Sequence, residues 1–323
     1  MSKHRANLYT LVADIGGTNT RVALANGAVL VQDSIRKYTN AGMADLEIVL
    51  RRYISDEDGV DCAGACIAVA GPVRNGVGEM TNLDWTIDRG TLARATSAEN
   101  VAILNDLQAQ GHALGQLNAE ALIQVIPGPK SSPGSAKLVI GVGTGFNAAP
   151  VYDTAQGTLV PPSECGHVNL PVRTAADLRL AMFIEAEQGY PSIEDILSGR
   201  GLERIYRWLG HEAVDARAMA AADIMQAVAD GSDPQAAKAV GVFVRILGTV
   251  VGNLALIHLP FGGIYLAGGV ARSIAPHLEQ FGFASAFRDK GRFTDFMDNF
   301  TISLIKDDCA ALVGCACYLA LQN

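Results

Sequence analysis

Apolar residues fall into two kinds of run along this chain. Short, almost unbroken runs cover Leu8–Asp14, Arg21–Ala25, Val29–Ile35, Ala65–Ala70 and Val101–Leu104, and these predict strands. Among them, Asp45–Ile54 sets Leu46, Val49, Leu50, Tyr53 and Ile54 on one helical face. A Pro/Gly/Ser-rich stretch, Pro127–Lys137, reads as a surface loop. After it the pattern restarts with strands Lys137–Val142 and Phe146–Tyr152 around a Gly-Thr-Gly turn. Thr174 and Asp177 form a capping box for a helix through Glu187. Asp233-Pro234 opens a long helix to about His258. Gly262–Ala271 reads as a buried strand broken by a diglycine, and strand Thr301–Ile305 precedes a helix over Ala310–Leu321. A strand, Gly/Thr turn and strand at Leu11–Leu24 recur at Lys137–Tyr152, which suggests two halves of related architecture.

Composition narrows the class. The 323 residues are 49% hydrophobic, enough for a large core and more than one domain. The net charge is −8 and no basic block exceeds Arg51-Arg52, so nucleic acid is not an expected partner. The N-terminal apolar stretch stops at Asp14 without a small-residue cleavage site, unlike a signal peptide. Val240–Phe261 has membrane-like hydropathy, but Arg245, Asn253 and His258 interrupt it; a buried core helix is expected, with no membrane association. The six cysteines form no CxxC pair, and buried thiols in a reducing cytoplasm are the expectation.

The chemistry concentrates at the two glycine turns. In LVADIGGTNTRVAL, Gly16 and Gly17 bare their amides as an anion nest, Thr18 and Asn19 add donors, and Asp14 can hold Mg²⁺ directly or through water. GVGTGF offers Gly143, Thr144 and Gly145 as a second set. Taken singly, either turn also suits an ordinary glycine-rich hairpin. A dinucleotide site is disfavoured because its glycines open a helix, whereas TRVALA continues as a strand. No GxxxxGK[ST] P-loop occurs.

DIGGTNTRVAL, GTGF and IYLAGGV resemble the two phosphate loops and the adenosine loop of the actin-like ATPases and sugar kinases. Within that group, VAGPVRNGVGEMTNLDW, ILNDLQA, PSECGHVNL, ILSGRGLERIYR, FGGIYLAGGVA and FRDKGRF resemble bacterial glucokinases in family order over nearly the whole chain. The resemblance implies an α/β, actin-like and ribonuclease H-like two-domain sugar kinase fold with a cleft between lobes. The expected division is 1–108 plus 308–323 against 109–307. It implies ATP and Mg²⁺, transfer to the 6-hydroxyl of glucose, and a homodimer. Asp106 would be the general base; Asn82, Asn105, Glu164, His167 and Glu194 would bind sugar; Gly268 and Gly269 would lie against the nucleoside.

Residue by residue, blander readings stand beside these. Asn105-Asp106 suits a turn or helix cap, Glu194 a helix start, Asn82 a buried turn asparagine and His167 a structural histidine. Zinc is rejected near His167, because Cys165 is the lone cysteine there. Two departures from the family pattern stand out. Phe146-Asn147 replaces a usual Leu-Gly after the second turn, which points to an altered nucleotide grip or phosphoryl donor. SECGH replaces GEGGH, placing Ser163 and Cys165 beside sugar ligands. A kinase for another hexose and a non-catalytic sugar sensor on the same fold are the rival expectations.

Overall fold

The computed structural model describes residues 8–80, 83, 85–215 and 217–322. The chain divides into two compact units. The first comprises Met1–Asn118, Ala155–Pro162 and Asp307–Asn323, and the second Ala119–Thr154 and Ser163–Lys306.

The chain opens with β1 (Tyr9–Ile15), β2 (Asn19–Asn26), β3 (Val29–Leu30), β4 (Arg36–Thr39) and α1 (Leu46–Asp56). There follow β5 (Cys62–Val69), the short β6 (Val73–Arg74), β7 (Val77–Glu79) and β8 (Thr86–Asp88), then α2 (Arg89–Thr96), β9 (Asn100–Asn105) and α3 (Asp106–Ala113). Next come β10 (Leu122–Ile126), β11 (Lys137–Val142), β12 (Phe146–Thr154) and β13 (Gly157–Leu159). Helices α4 (Ala175–Gln188), α5 (Gly199–Glu212), α6 (Ala221–Asp230) and α7 (Pro234–His258) lead to β14 (Ile264–Ala267). The chain ends with α8 (Gly269–Ile274), α9 (Phe283–Arg288), β15 (Ile302–Ile305) and α10 (Ala310–Ala320).

In the first unit the sheet order is β3-β2-β1-β5-β9, with β4 also paired to β2. β1 is antiparallel to β2 and parallel to β5, which is parallel to β9. Both faces are covered, so the strands are apolar at odd and even positions alike. Leu11, Ala13, Ile15, Val22, Leu24, Ile67 and Val69 pack with Leu50, Tyr53 and Leu92 of α1 and α2. Val12, Ala23, Ala25, Cys66 and Ala68 pack with Ala109, Leu312, Cys315 and Ala316 of α3 and α10. Small residues on that second face let the helices approach closely. A Cβ on Gly314 of α10 would collide with the Ala109 carbonyl of α3.

The second unit repeats the plan. Its strands run β10-β15-β14-β11-β12, with β11 antiparallel to β12 and parallel to β14, and β14 parallel to β15. The series β2-β1-β5-β9 and β12-β11-β14-β15 therefore share order and sense, as the repeated hairpin suggests. α7 is the spine of this unit, and 67% of its most apolar window is buried. Gly248 and Gly252 admit the backbone at Phe283 and Phe287, where a Cβ would meet carbonyl oxygens. Arg245, the charge interrupting that apolar run, ion-pairs with Asp177, the buried carboxylate of the α4 capping box. All six cysteines are free thiols.

Residue 108 lies inside α3; α3 packs on α10, and Gln108 donates from Nε2 to the Val160 carbonyl at 2.9 Å, consistent with residues 155–162 joining the first unit. One sequence expectation changes: Val29–Ile35 is not one strand. The Ser34 hydroxyl accepts from Leu24 N at 2.8 Å and donates to Val31 O at 2.6 Å, and a 3₁₀ turn over Gln32–Ser34 replaces the ladder. The run Gly262–Ala271 is a strand only as far as the diglycine, as expected: Gly268, at φ +102°, turns the chain into α8.

Candidate functional site

In the first unit, strand direction gathers the candidate groups at one sheet edge. Ile15 pairs with Val69, and Val69 with Asn105. The β1–β2 turn and the start of α3 thus leave the same edge two strand spacings, about 10 Å, apart. Within the turn, Gly16 N donates to Asn19 O at 3.0 Å. Asn40 braces it from outside: its Nδ2 donates to Gly16 O at 2.8 Å, its Oδ1 accepts from Thr20 Oγ1 at 2.8 Å, and its amide donates to Thr18 O at 2.9 Å. Thr18 itself is exposed and Gly17 and Asn19 are half-buried.

Asp14 sits on β1 opposite Arg21, whose Nη1 lies 3.7 Å from its carboxylate; Asp308 lies 3.5 Å from the other guanidinium nitrogen. Burial pushes the Asp14 carboxyl up to about 6, with Arg21 opposing and Asp308 adding to the rise.

Asn105 and Asp106 form the start of α3. The Asn105 side chain accepts from Leu107 N at 2.9 Å and donates to Gly71 O at 3.1 Å, while its own amide donates to Gln108 Oε1 at 3.2 Å, completing a capping box. Asn105 is therefore a cap and a strut to the Gly71 loop. Asp106 occupies the first helical position, half-buried, with Oδ1 accepting from Leu107 N at 2.8 Å.

In the second unit, Gly141 of β11 pairs with Ala267 of β14, so the 143–145 turn and Gly268-Gly269 leave adjacent strands, about 5 Å apart. Gly143 N donates to Gly145 O, and Gly199, at the start of α5, donates to Gly143 O, both at 2.9 Å. A Cβ at Gly143 or Gly269 would meet nothing within 4 Å. No protein atom fills these places, so the backbone there is open to a ligand. Gly145 differs, since its Cβ would collide with the Glu194 carboxylate.

Glu164, His167 and Glu194 come together around the start of β12. Phe146 N donates to Glu194 Oε2 at 2.9 Å, and Glu194 N donates to Gly166 O at 2.9 Å. His167 N donates to Glu164 O at 3.1 Å. Burial raises the Glu164 carboxyl above its ordinary range, with His167 lowering it and Glu194 raising it further. Asn82 lies outside the described residues. Sequence reasoning missed Asn40 and Gly71, whose roles depend on contacts distant in sequence. It did notice Asn147 beside the glycine turn, but not that its amide reaches Ser163 and Glu164.

Comparisons with known proteins agree along the chain. The glucokinase family profile matches residues 11–322. A glucokinase of Rhizobium meliloti (strain 1021) is 34% identical, over 98% of this chain and 94% of its own. One of Pectobacterium atrosepticum is 31% identical over 96% and 97%. The crystal structure of a glucokinase from an Antarctic psychrotroph superposes with a TM-score of 0.83 at 29% identity, covering 97% of this chain and 98% of that one. The fold is that of the actin-like sugar kinases, and the chain belongs to the glucokinase family.

Proposed function

We propose that this protein transfers the terminal phosphoryl group of ATP to the 6-hydroxyl of glucose, with Asp106 as general base. Membership of the glucokinase family carries the reaction; a glucokinase of Balamuthia mandrillaris, 25% identical with a TM-score of 0.82, was crystallised with glucose. The observation that supports the residue roles is the grouping of Glu164, His167 and Glu194 beside the open 143–145 turn.

A hexose hydroxyl is a weak nucleophile. Asp106, held at the mouth of α3 by the Asn105 cap, orients the hydroxyl and takes its proton as the new O–P bond forms. Glu164 and Glu194 accept hydrogen bonds from ring hydroxyls, and His167, Asn105 and Asn82 complete the polar set. A hydroxyl of the wrong configuration leaves one of these groups unpaired, which rejects epimers. Amides of Gly16–Asn19 and Gly143–Gly145, with the Thr144 hydroxyl, receive phosphate oxygens, and Gly268-Gly269 lies against the nucleoside.

Asp14 suits Mg²⁺, which takes one or two carboxylates and completes its shell with water and phosphate. Among the described residues no group of three or more His, Cys, Asp or Glu could hold a metal ion, and the reading gives the ion one protein carboxylate with water and phosphate. The ion would neutralise charge on the transferring group. The protein acts in the cytoplasm as a homodimer.

An assay coupling ADP formation to NADH oxidation, with ATP and MgCl₂ over a panel of hexoses, tests this. Glucose is expected to be the best acceptor. Faster turnover of fructose, mannose or an amino sugar would reassign the substrate, and no turnover of any would favour a sensor.

A further inference from the structure

Asn147 is the first residue after Phe146 on β12. Its Nδ2 donates to the Ser163 carbonyl and lies 3.4 Å from Glu164 Oε2. Its Oδ1 accepts from Ala148 N at 2.8 Å, from Cys165 N at 3.2 Å and from Cys165 Sγ at 3.6 Å. One side chain thus ties three consecutive residues, Ser163, Glu164 and Cys165, to the strand that leaves the glycine turn. The neighbouring amide of Phe146 ties Glu194 to the same strand.

We infer that Asn147 is a positioning residue for sugar: its carboxamide staples the 163–165 loop to β12 and aims the Glu164 carboxylate. The inference rests on the reading of Glu164 as a sugar contact and deepens it by naming what sets that contact. A glycine at this position, as the family pattern has it, offers no such donor or acceptor. The loop would then be held by its backbone alone. Cys165 belongs to the same device, since its thiol as well as its amide reaches the Asn147 Oδ1. The carboxamide also serves two opposed needs at once. Its donor end steadies a carboxylate whose ionisation burial opposes, and its acceptor end fixes the amide that follows.

Two variants separate the functions of the side chain. Asn147→Gly removes the staple. Asn147→Asp keeps an acceptor for Cys165 N but loses the donors and sets a carboxylate against Glu164. For Asn147→Gly, loss of the ties to Ser163 and Cys165 and of the contact to the Glu164 carboxylate should raise the glucose KM about ten-fold, leaving kcat and the ATP KM near wild type. Asn147→Asp should raise the glucose KM further, and increasingly so as pH rises through the acid range. Amide hydrogen exchange in residues 163–168 should quicken in Asn147→Gly, and less so in Asn147→Asp, which keeps the acceptor for Cys165 N. Unchanged exchange in the glycine variant, or a rise in ATP KM with glucose KM unmoved, overturns the inference. A wild type that phosphorylates no glucose would instead remove the functional reading, while the exchange measurement would still decide whether Asn147 holds the loop.

Discussion

The backbone N–H of Phe146 donates to Oε2 of Glu194 at 2.9 Å, and a Cβ on the preceding glycine would collide with that same carboxylate. The turn proposed to hold phosphate and a carboxylate proposed to hold sugar therefore share one strand end. Gly145→Ala should displace Glu194, raising the glucose KM about ten-fold and costing about 1–3 kcal/mol of stability from overpacking. Steady-state kinetics with thermal unfolding check both. A normal glucose KM would remove Glu194 from the sugar contacts.

Asp106→Ala and Asp106→Asn should each lower kcat by at least about 100-fold, the range for loss of a general base. Glucose binding, measured by calorimetry, should persist. Near-normal turnover in either variant would exclude Asp106 as the base.

For Asp14 the expected effect is on pH dependence. Its folded-state carboxyl is pushed up to about 6 from an ordinary 3.8, chiefly by burial. Without metal, the folded protein holds this proton more tightly than the unfolded chain does. Stability should therefore decline as pH rises from about 4 to about 6 and stay lower above that, by at most about 3 kcal/mol. Asp14→Asn has no such proton to lose. At pH 7.5 in EDTA it should resist urea better than wild type, yet its KM for MgATP should rise. Equal urea midpoints would contradict the buried-carboxylate account.

Gly314→Ala should destabilise the first unit by about 2–3 kcal/mol, because a methyl there meets the Ala109 carbonyl. The same substitution pushes on α3, which carries Asp106, so kcat should fall as well. Urea unfolding and the coupled assay report the two effects separately.

Much of this was legible in the residues. Strands read from apolar runs at Leu8–Asp14 and Lys137–Val142 match β1 and β11 to within a residue at each end, because burial on both faces leaves little room for polar positions. The capping boxes and the Asp233-Pro234 start of α7 were visible because caps are local. What hid were long-range polar contacts. Ser34 breaks a β-favouring run only because Leu24 N needs a partner, and Asn40 braces a turn 24 residues earlier. The tie from Asn147 to Ser163 was hidden too, since its position beside a glycine turn says nothing of a loop that follows sixteen residues later.

Helix α10 covers the Val12, Ala23, Cys66 and Ala68 face of a sheet whose strands come from the other end of the chain. On the ribosome, that face must wait for Leu312, Cys315 and Ala316 to emerge. The second unit, encoded wholly within the first, has all its strands available earlier. The nascent protein thus finishes its middle before its beginning.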